Sequence, residues 1–419
     1  MILSHFLVIS LALNAGLLYR DYCNGRHKAQ DVFSFNNVCK NSSLVTKRDA
    51  HVAKSKRAFL ETKTQSSSPS PKSLCVIIDL DHGDPTMYER YWQQMGDKTT
   101  VVIPGWKFIS YFSDVRSLCW FLEPEFANAV IRLHKLLFQA VLYAVSPPNA
   151  SEPIQSAALH SSYPLITEFL KSGLYKWAGD AHKFKKDKPY IELVTSPNNP
   201  DGLSREAVVK QDQGILIHDL AYYWPQYTSI SSSPADHDIM LFTVSKSTGH
   251  AGSRLGWALV KDQEIAKKMT EFIVLSTIGV SKESQLRAAK ILQVLSDSHE
   301  HRGGFKEVEA FFDHSYNLMA RRWRQLRDAV KRSKLFSLPE FPHSKCAFTG
   351  RTFASQPAFA WLKCEGETED CESFLRDHKI LTRNGKHFGE SPKYVRISVL
   401  PRDEVFDQFT ERLSSITSS

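Results

Sequence analysis

A lysine set among small and hydroxyl residues, with an arginine eight positions on, marks the segment Thr243-Val-Ser-Lys-Ser-Thr-Gly-His-Ala-Gly-Ser-Arg254. The primary amine of Lys246 can condense with an aldehyde. Hydroxyls and a guanidinium can hold a phosphate, and glycines let the backbone approach a bulky anion. Together these are the needs of pyridoxal 5'-phosphate. A basic, flexible surface loop has much the same composition, so the rest of the chain must decide.

That chemistry needs further groups. An acid must face the ring nitrogen, because a protonated ring is the better electron sink. Asp219 fits, directly after the apolar run Ile215-Leu-Ile217. Tyr222 and Asn199 can hydrogen-bond the ring oxygen. Taken singly, an Asx turn accounts for Asn199, a helix N-cap for Asp219 and core packing for Tyr222. Their order and spacing with Lys246 and Arg254 argue for a joint role.

The elements that must position these groups are legible. Tyr190-Ile-Glu-Leu-Val194 runs into Ser196-Pro-Asn-Asn-Pro-Asp-Gly202. Gly214-Ile-Leu-Ile-His218 runs into Asp219, and Ile239-Met-Leu-Phe-Thr243 into Lys246. Gly256-Trp-Ala-Leu-Val260 follows. Apolar strands separated by helical stretches predict an α/β fold with a mainly parallel sheet and helices on both faces. Ligands then bind beyond the strand ends, where the polar groups lie. Further helices are expected at 87–95, 126–143, 165–174 and within 261–336, and a strand at 75–80. A smaller α+β domain closes the chain, with strands at 358–363 and 394–400 and helices at 371–377 and 404–413. The expected boundaries are a large domain over 75–300 and a small one over 301–419.

The 419 residues carry a net charge of +8. The excess is diffuse, with no basic block interleaved with aromatics, so no nucleic-acid partner is expected. Seven cysteines include no Cys-x-x-Cys pair, which argues against a structural zinc site and leaves no metal expected. Cys364 and Cys371 are close enough in sequence to pair, but buried or free thiols are the expectation. Residues 1–22 open with an apolar run followed by Arg20, Arg26 and Lys28. This predicts a signal peptide or signal anchor, hence membrane or secretory-pathway association, with the side of the membrane open. Asn41-Ser-Ser and Asn149-Ala-Ser are glycosylation sequons. Residues 23–74 are polar and basic and read as a tether.

Longer motifs identify a family. Ser196-Pro-Asn-Asn-Pro-Asp-Gly202, His218-Asp-Leu-Ala-Tyr-Tyr-Trp-Pro225 and Ser245-Lys-Ser-Thr-Gly-His-Ala-Gly-Ser-Arg254 resemble the plant alliinase and tryptophan aminotransferase-related family. His82-Gly-Asp-Pro-Thr-Met87, Ser110-Tyr-Phe-Ser-Asp114, Leu118-Cys-Trp-Phe-Leu-Glu-Pro124 and Ile278-Gly-Val-Ser-Lys-Glu-Ser284 add to the resemblance. It implies a fold-type I pyridoxal phosphate enzyme that forms a homodimer with the cofactor at the subunit interface. Lys246 would be the cofactor lysine and general base, with Asp219 on the ring nitrogen and Asn199 and Tyr222 on the ring oxygen. Thr243, Ser245 and Arg254 would help hold the phosphate, and Tyr111 would reach that of the partner subunit. Arg396 would fork onto the substrate carboxylate. The implied reaction is transamination of L-tryptophan or a related L-amino acid to its 2-oxo acid. A carbon–sulfur lyase on cysteine sulfoxides is the alternative within this chemistry, and a non-catalytic chain the alternative outside it.

The chain departs from this family in two places. The family passes from a Leu-His-Lys helix through a strand into a Gly-Thr-Gly-Ser-Thr-Gln loop that holds the phosphate. Here Leu133-His-Lys-Leu136 continues directly into Leu137-Phe-Gln-Ala. Backbone N–H groups that would face the anion are missing with the loop. The ring-stacking aromatic of the family is replaced by Leu159 or His160.

Overall fold

The computed structural model describes residues 5–7, 76–110, 112–114, 117–144, 181–185, 190–209, 214–231, 237–300 and 309–417. Tyr111, Leu159, His160, the helix expected at 165–174, the tether, both sequons and Cys23, Cys39 and Cys75 lie outside the described residues. The chain divides into two compact units, 1–13 with 78–419, and 14–77. Both main sheets belong to the first unit.

In chain order the elements of the first unit begin with strand β1 (His5–Leu7), strand β2 (Ile78–Asp79), helix α1 (Glu89–Met95) and helix α2 (Pro124–Ala144). Strands β3 (Tyr190–Thr195), β4 (Gly214–Asp219) and β5 (Ile239–Thr243) follow, then the one-turn helix α3 (Val244–Ser247) and strand β6 (Gly256–Val260). Helices α4 (Gln263–Thr277), α5 (Lys282–Glu300) and α6 (Phe311–Ser333) come next.

The large sheet has the order β1-β6-β5-β4-β3. Strands β3, β4 and β5 are parallel, in register Thr195 opposite Asp219 and Asp219 opposite Leu241. Strand β6 is antiparallel to β5. The Lys246–Arg254 loop between them is too short for the crossover that a parallel pair requires. On the outer edge of β6 lies β1, paired antiparallel with His5 opposite Val260. The three parallel strands end at Thr195, Asp219 and Thr243, at neighbouring strand ends of one sheet.

Helix α2 buries Phe126, Ala129, Val130 and Leu133 along one face. It continues through 136–137 without a break, where the family places a strand and a glycine-rich loop. His134 lies on this helix and is buried. The indole N–H of Trp257 donates to its Nε2 at 2.9 Å, and burial pushes its pKa down to about 3. A neutral acceptor inside the core is its role. Phe242 stacks on Trp257 at 5.8 Å, and Trp224 packs edge-on against both, so the centre of the large sheet is an aromatic cluster.

The C-terminal part contains the short strands β7 (Phe336–Ser337), β8 (His343–Lys345) and β9 (Thr352–Ala354), then β10 (Phe359–Cys364), helix α7 (Cys371–Asp377), strands β11 (Ile380–Leu381), β12 (Arg383–Asn384) and β13 (Tyr394–Ser398), and helix α8 (Asp403–Ser415). Its sheet runs β12-β13-β10-β7 and is antiparallel. Buried Arg322 on α6 donates to the carbonyls of Val399 and Pro401, each at 2.7 Å, and meets Asp403 at 2.7 Å. This fixes the chain just after β13.

Two features differ from the sequence expectation. Cys364 and Cys371, expected as free thiols, form a disulfide with a Cα separation of 5.6 Å. The turn after β10 brings the strand end back onto the first residue of α7, a closure that the spacing of seven does not reveal. Cys119 and Cys346 are buried and form no disulfide, as expected. The strand expected at 75–80 shrinks to β2. It pairs in parallel with β11, Ile78 opposite Ile380, so the segment leading to His82 is stitched to the C-terminal part. Among the described residues no helix is long and apolar enough to cross a membrane.

Candidate active site

Lys246 sits in the single turn of α3, immediately beyond the end of β5. Thr243 caps that turn: its Oγ1 accepts from the N–H of Ser245 at 3.1 Å and donates to the Leu255 carbonyl at 2.9 Å. The turn thus points the lysine out of the sheet edge. Its Nζ donates to the carbonyl of Gly83 at 2.5 Å. Burial lowers the Lys246 ammonium to about 8. Asp84 opposes that shift, while the charges of Arg396 and Arg254 reinforce it. An amine near that value is available as a nucleophile and as a base at mild pH.

Asp219 ends β4, one strand away from Thr243. Burial pushes its carboxyl pKa up, and the N–H of Ala221, donating to Oδ1 at 3.1 Å, opposes that shift. A desolvated carboxylate at a strand end calls for a cationic partner. A protonated ring nitrogen answers that need. Tyr222, three residues on, is buried, with its ring edge-on to Phe359 at 5.5 Å.

Arg396 on β13 is also buried. Its Nη1 donates to Oδ1 of Asn199 at 3.2 Å, and its Nη2 to the carbonyl of Asp81 at 2.6 Å. The ring of Phe359 lies 4.1 Å from the guanidinium carbon, close enough for a cation–π contact. Asn199 itself follows the cis peptide Ser196–Pro197 in the loop after β3. The structure therefore brings Asn199 and Arg396 into direct contact across 197 residues of chain.

Ser245 is buried in the α3 turn. Arg254 takes a left-handed conformation at φ 49° and donates from Nη1 to the Ala251 carbonyl at 2.8 Å. Its charge reaches Lys246. Thr243 is committed to the cap and to Leu255, and Tyr111 lies outside the described residues. Among the described residues no cluster of His, Cys, Asp and Glu could hold a metal.

Several participants were not singled out from sequence. Tyr227 donates its hydroxyl to the Lys246 carbonyl at 3.1 Å, which holds the α3 turn from below. Phe359 is shared by Tyr222, Arg396 and Gly83. Gly83 has a steric requirement: a Cβ there would lie 2.7 Å from Cζ of Phe359 and 3.4 Å from Nζ of Lys246. Replacing Gly83 by alanine is expected to push Phe359 and the lysine apart and lower kcat/KM about 100-fold, the cost of a roughly 1 Å misplacement. Steady-state kinetics alongside a melting curve checks this. An activity unchanged within about twofold rules out the close approach. The signal that could have found Gly83 was the His82-Gly-Asp-Pro85 motif.

A side cavity of about 480 Å³ opens beyond Gly249, lined by residues including Tyr88, Trp92, His250 and Arg402. It does not include Lys246 or Asp219, so the chemistry is assigned to the strand ends and not to this hollow.

Comparisons with known proteins bear on family and fold. "Tryptophan aminotransferase-related protein 2" of Arabidopsis thaliana is 57% identical over 366 residues, covering 82% of each chain. "Alliin lyase" of Allium cepa var. aggregatum is 34% identical over 398 residues, covering 84% of this chain and 87% of its own. Among solved structures, an aminotransferase from Staphylococcus aureus superposes with a TM-score of 0.52 at 16% identity, over 81% of this chain and 94% of its own, which shows the shared fold. The Allinase family matches residues 78–137 and 135–417, two segments that meet where α2 replaces the expected loop. Matched over residues 78–417 and 57% identical to one of its members, this chain belongs to the allinase family of fold-type I enzymes, whose cofactor is pyridoxal 5'-phosphate.

Proposed function

We propose that this chain is an aminotransferase that acts on L-tryptophan or a related L-amino acid and releases the 2-oxo acid. The observation that carries the reading is the Lys246 amine, lowered to about 8 and held by the Gly83 carbonyl beside a buried carboxylate anchor, Arg396. Pyridoxal phosphate supplies an aldehyde and an electron sink. The protein supplies the rest. Asp219 would hold positive charge at the ring nitrogen, Asn199 and Tyr222 would bind the ring oxygen, and Ser245 and Arg254 would help hold the phosphate. Arg396 would grip the α-carboxylate and so orient the bonds at the α-carbon. Lys246 would take the α-proton and return it with the β-substituent retained, whereas elimination would expel that substituent. The higher identity to the tryptophan aminotransferase-related protein than to the alliin lyase favours return of that proton.

A homodimer is part of this proposal. Trp106, Ile109, Leu275 and Ile278 are 72%, 86%, 86% and 63% exposed, and Lys282 links their neighbourhoods through the ring of Phe108 at 5.6 Å. So much apolar side chain at the surface suits a second copy. A second reading, a chain that folds but holds its cofactor weakly, draws support from the unbroken helix α2 across 136–137.

One experiment separates the readings. The full chain is loaded with pyridoxal phosphate, then given L-tryptophan with a 2-oxo acid, or S-allyl cysteine sulfoxide alone. Indole-3-pyruvate supports the proposal. Pyruvate from the sulfoxide supports the lyase. Failure to acquire a visible cofactor band supports the second reading.

A further inference from the structure

One ion pair stands behind the carboxylate anchor without touching the reacting atoms. Arg383 lies on β12, directly opposite Arg396 on β13. Two guanidinium groups side by side repel each other. Asp81 lies between them in the arm that follows β2. Nε and Nη2 of Arg383 donate to its two carboxylate oxygens at 2.5 and 3.0 Å, a bidentate fork. The carboxylate lies 4.0 Å from Nη2 of Arg396, too far for a hydrogen bond, while the Asp81 carbonyl takes that same nitrogen at 2.6 Å. The arm is held on both sides: Leu80 donates to the Leu381 carbonyl at 3.0 Å and accepts from the N–H of Ser398 at 2.9 Å. Burial works against ionisation of Asp81, yet the hydrogen bond and charge of Arg383, then Arg396 and His82, hold its carboxyl below the usual range.

We infer that Asp81 and Arg383 are positioning residues that set Arg396 for a single substrate carboxylate. The Arg383 fork occupies both carboxylate oxygens of Asp81, which keeps that carboxylate from hydrogen-bonding the Arg396 guanidinium. The Asp81 carbonyl and the Asn199 amide fix two guanidinium nitrogens, and the face against Phe359 fixes the plane. This rests on the reading of Arg396 as the carboxylate anchor.

The test uses the full chain loaded with pyridoxal phosphate and two probes, L-tryptophan and tryptamine, which lacks the carboxylate. Asp81→Asn and Arg383→Gln are each expected to raise KM for L-tryptophan about tenfold, with kcat within about threefold and tryptamine binding unchanged. The neutral double variant, whose two amides can still bond, is expected to recover most of the loss. Calorimetric binding of 3-phenylpropionate, an acid without an amine, should weaken in each single variant and return in the double. Equal losses for L-tryptophan and tryptamine, or additive losses in the double variant, overturn the inference. Arg396→Lys separates the two levels. If it abolishes the preference for the acid and Asp81→Asn does not, the positioning pair is wrong and the anchor stands. If Arg396→Lys leaves that preference intact, the anchor itself is wrong.

Discussion

Lys246→Ala is expected to leave a folded chain that no longer retains pyridoxal phosphate through dialysis and turns over at least roughly 1,000-fold more slowly. The effect is large because the proposed function gives one amine two duties, capture of the cofactor aldehyde and movement of the α-proton. The wild-type lysine also predicts a pH dependence. Only the neutral amine attacks an aldehyde. Burial places its pKa at about 8, so the rate of cofactor capture should rise with pH and level off above that value. An ordinary exposed lysine would keep rising to about 10.4. Stopped-flow absorbance of the cofactor-free chain mixed with pyridoxal phosphate from about pH 6 to about pH 10 reads this directly. A rate still climbing at the top of that range rules out the desolvated amine.

Asp219→Asn is expected to act in opposite directions on activity and stability. The amide cannot balance a protonated ring nitrogen, so kcat should fall on the order of 1,000-fold, as for loss of one preorganised electrostatic partner. Without cofactor, the buried carboxylate is a cost. Its folded pKa is raised, so above that value the native state carries a charge that the unfolded chain solvates better. Replacing the carboxyl by an amide should stabilise the cofactor-free chain by about 1–2 kcal/mol, measured as a rise in urea midpoint that grows with pH. A drop in midpoint would sink the assignment of Asp219 as an uncompensated acid waiting for a cation.

Much of this site was legible in the residues alone. Strands β3, β4 and β5 are short apolar runs that end in polar residues, and central parallel strands read that way because both faces are covered. Lys246, Asp219 and Asn199 each follow such a run, so their strand-end positions came with the pattern. Arg396 was legible only through the family motif, because a strand arginine carries no local mark of function. The fork from Arg383 to Asp81 was not legible at all. It joins residues 302 apart, and nothing near either one records the other. The disulfide was missed for a related reason, since a spacing of seven fits a helix face as well as a strand-to-helix turn. The mixed character of the large sheet was implicit in the brevity of the Lys246–Arg254 connection.

The strand β1 has a consequence for solubility. An edge strand exposes a row of unsatisfied N–H and C=O groups, and an uncovered edge recruits any extended chain it meets. The outer edge of β6 is shielded by the chain's own residues His5 to Leu7. Whatever draws that strand away uncovers a segment of sequence Gly-Trp-Ala-Leu-Val, an aromatic and apolar template with no charge to discourage pairing. Residues 5–7 therefore cover an edge of the large sheet that would otherwise be open to pairing with another chain.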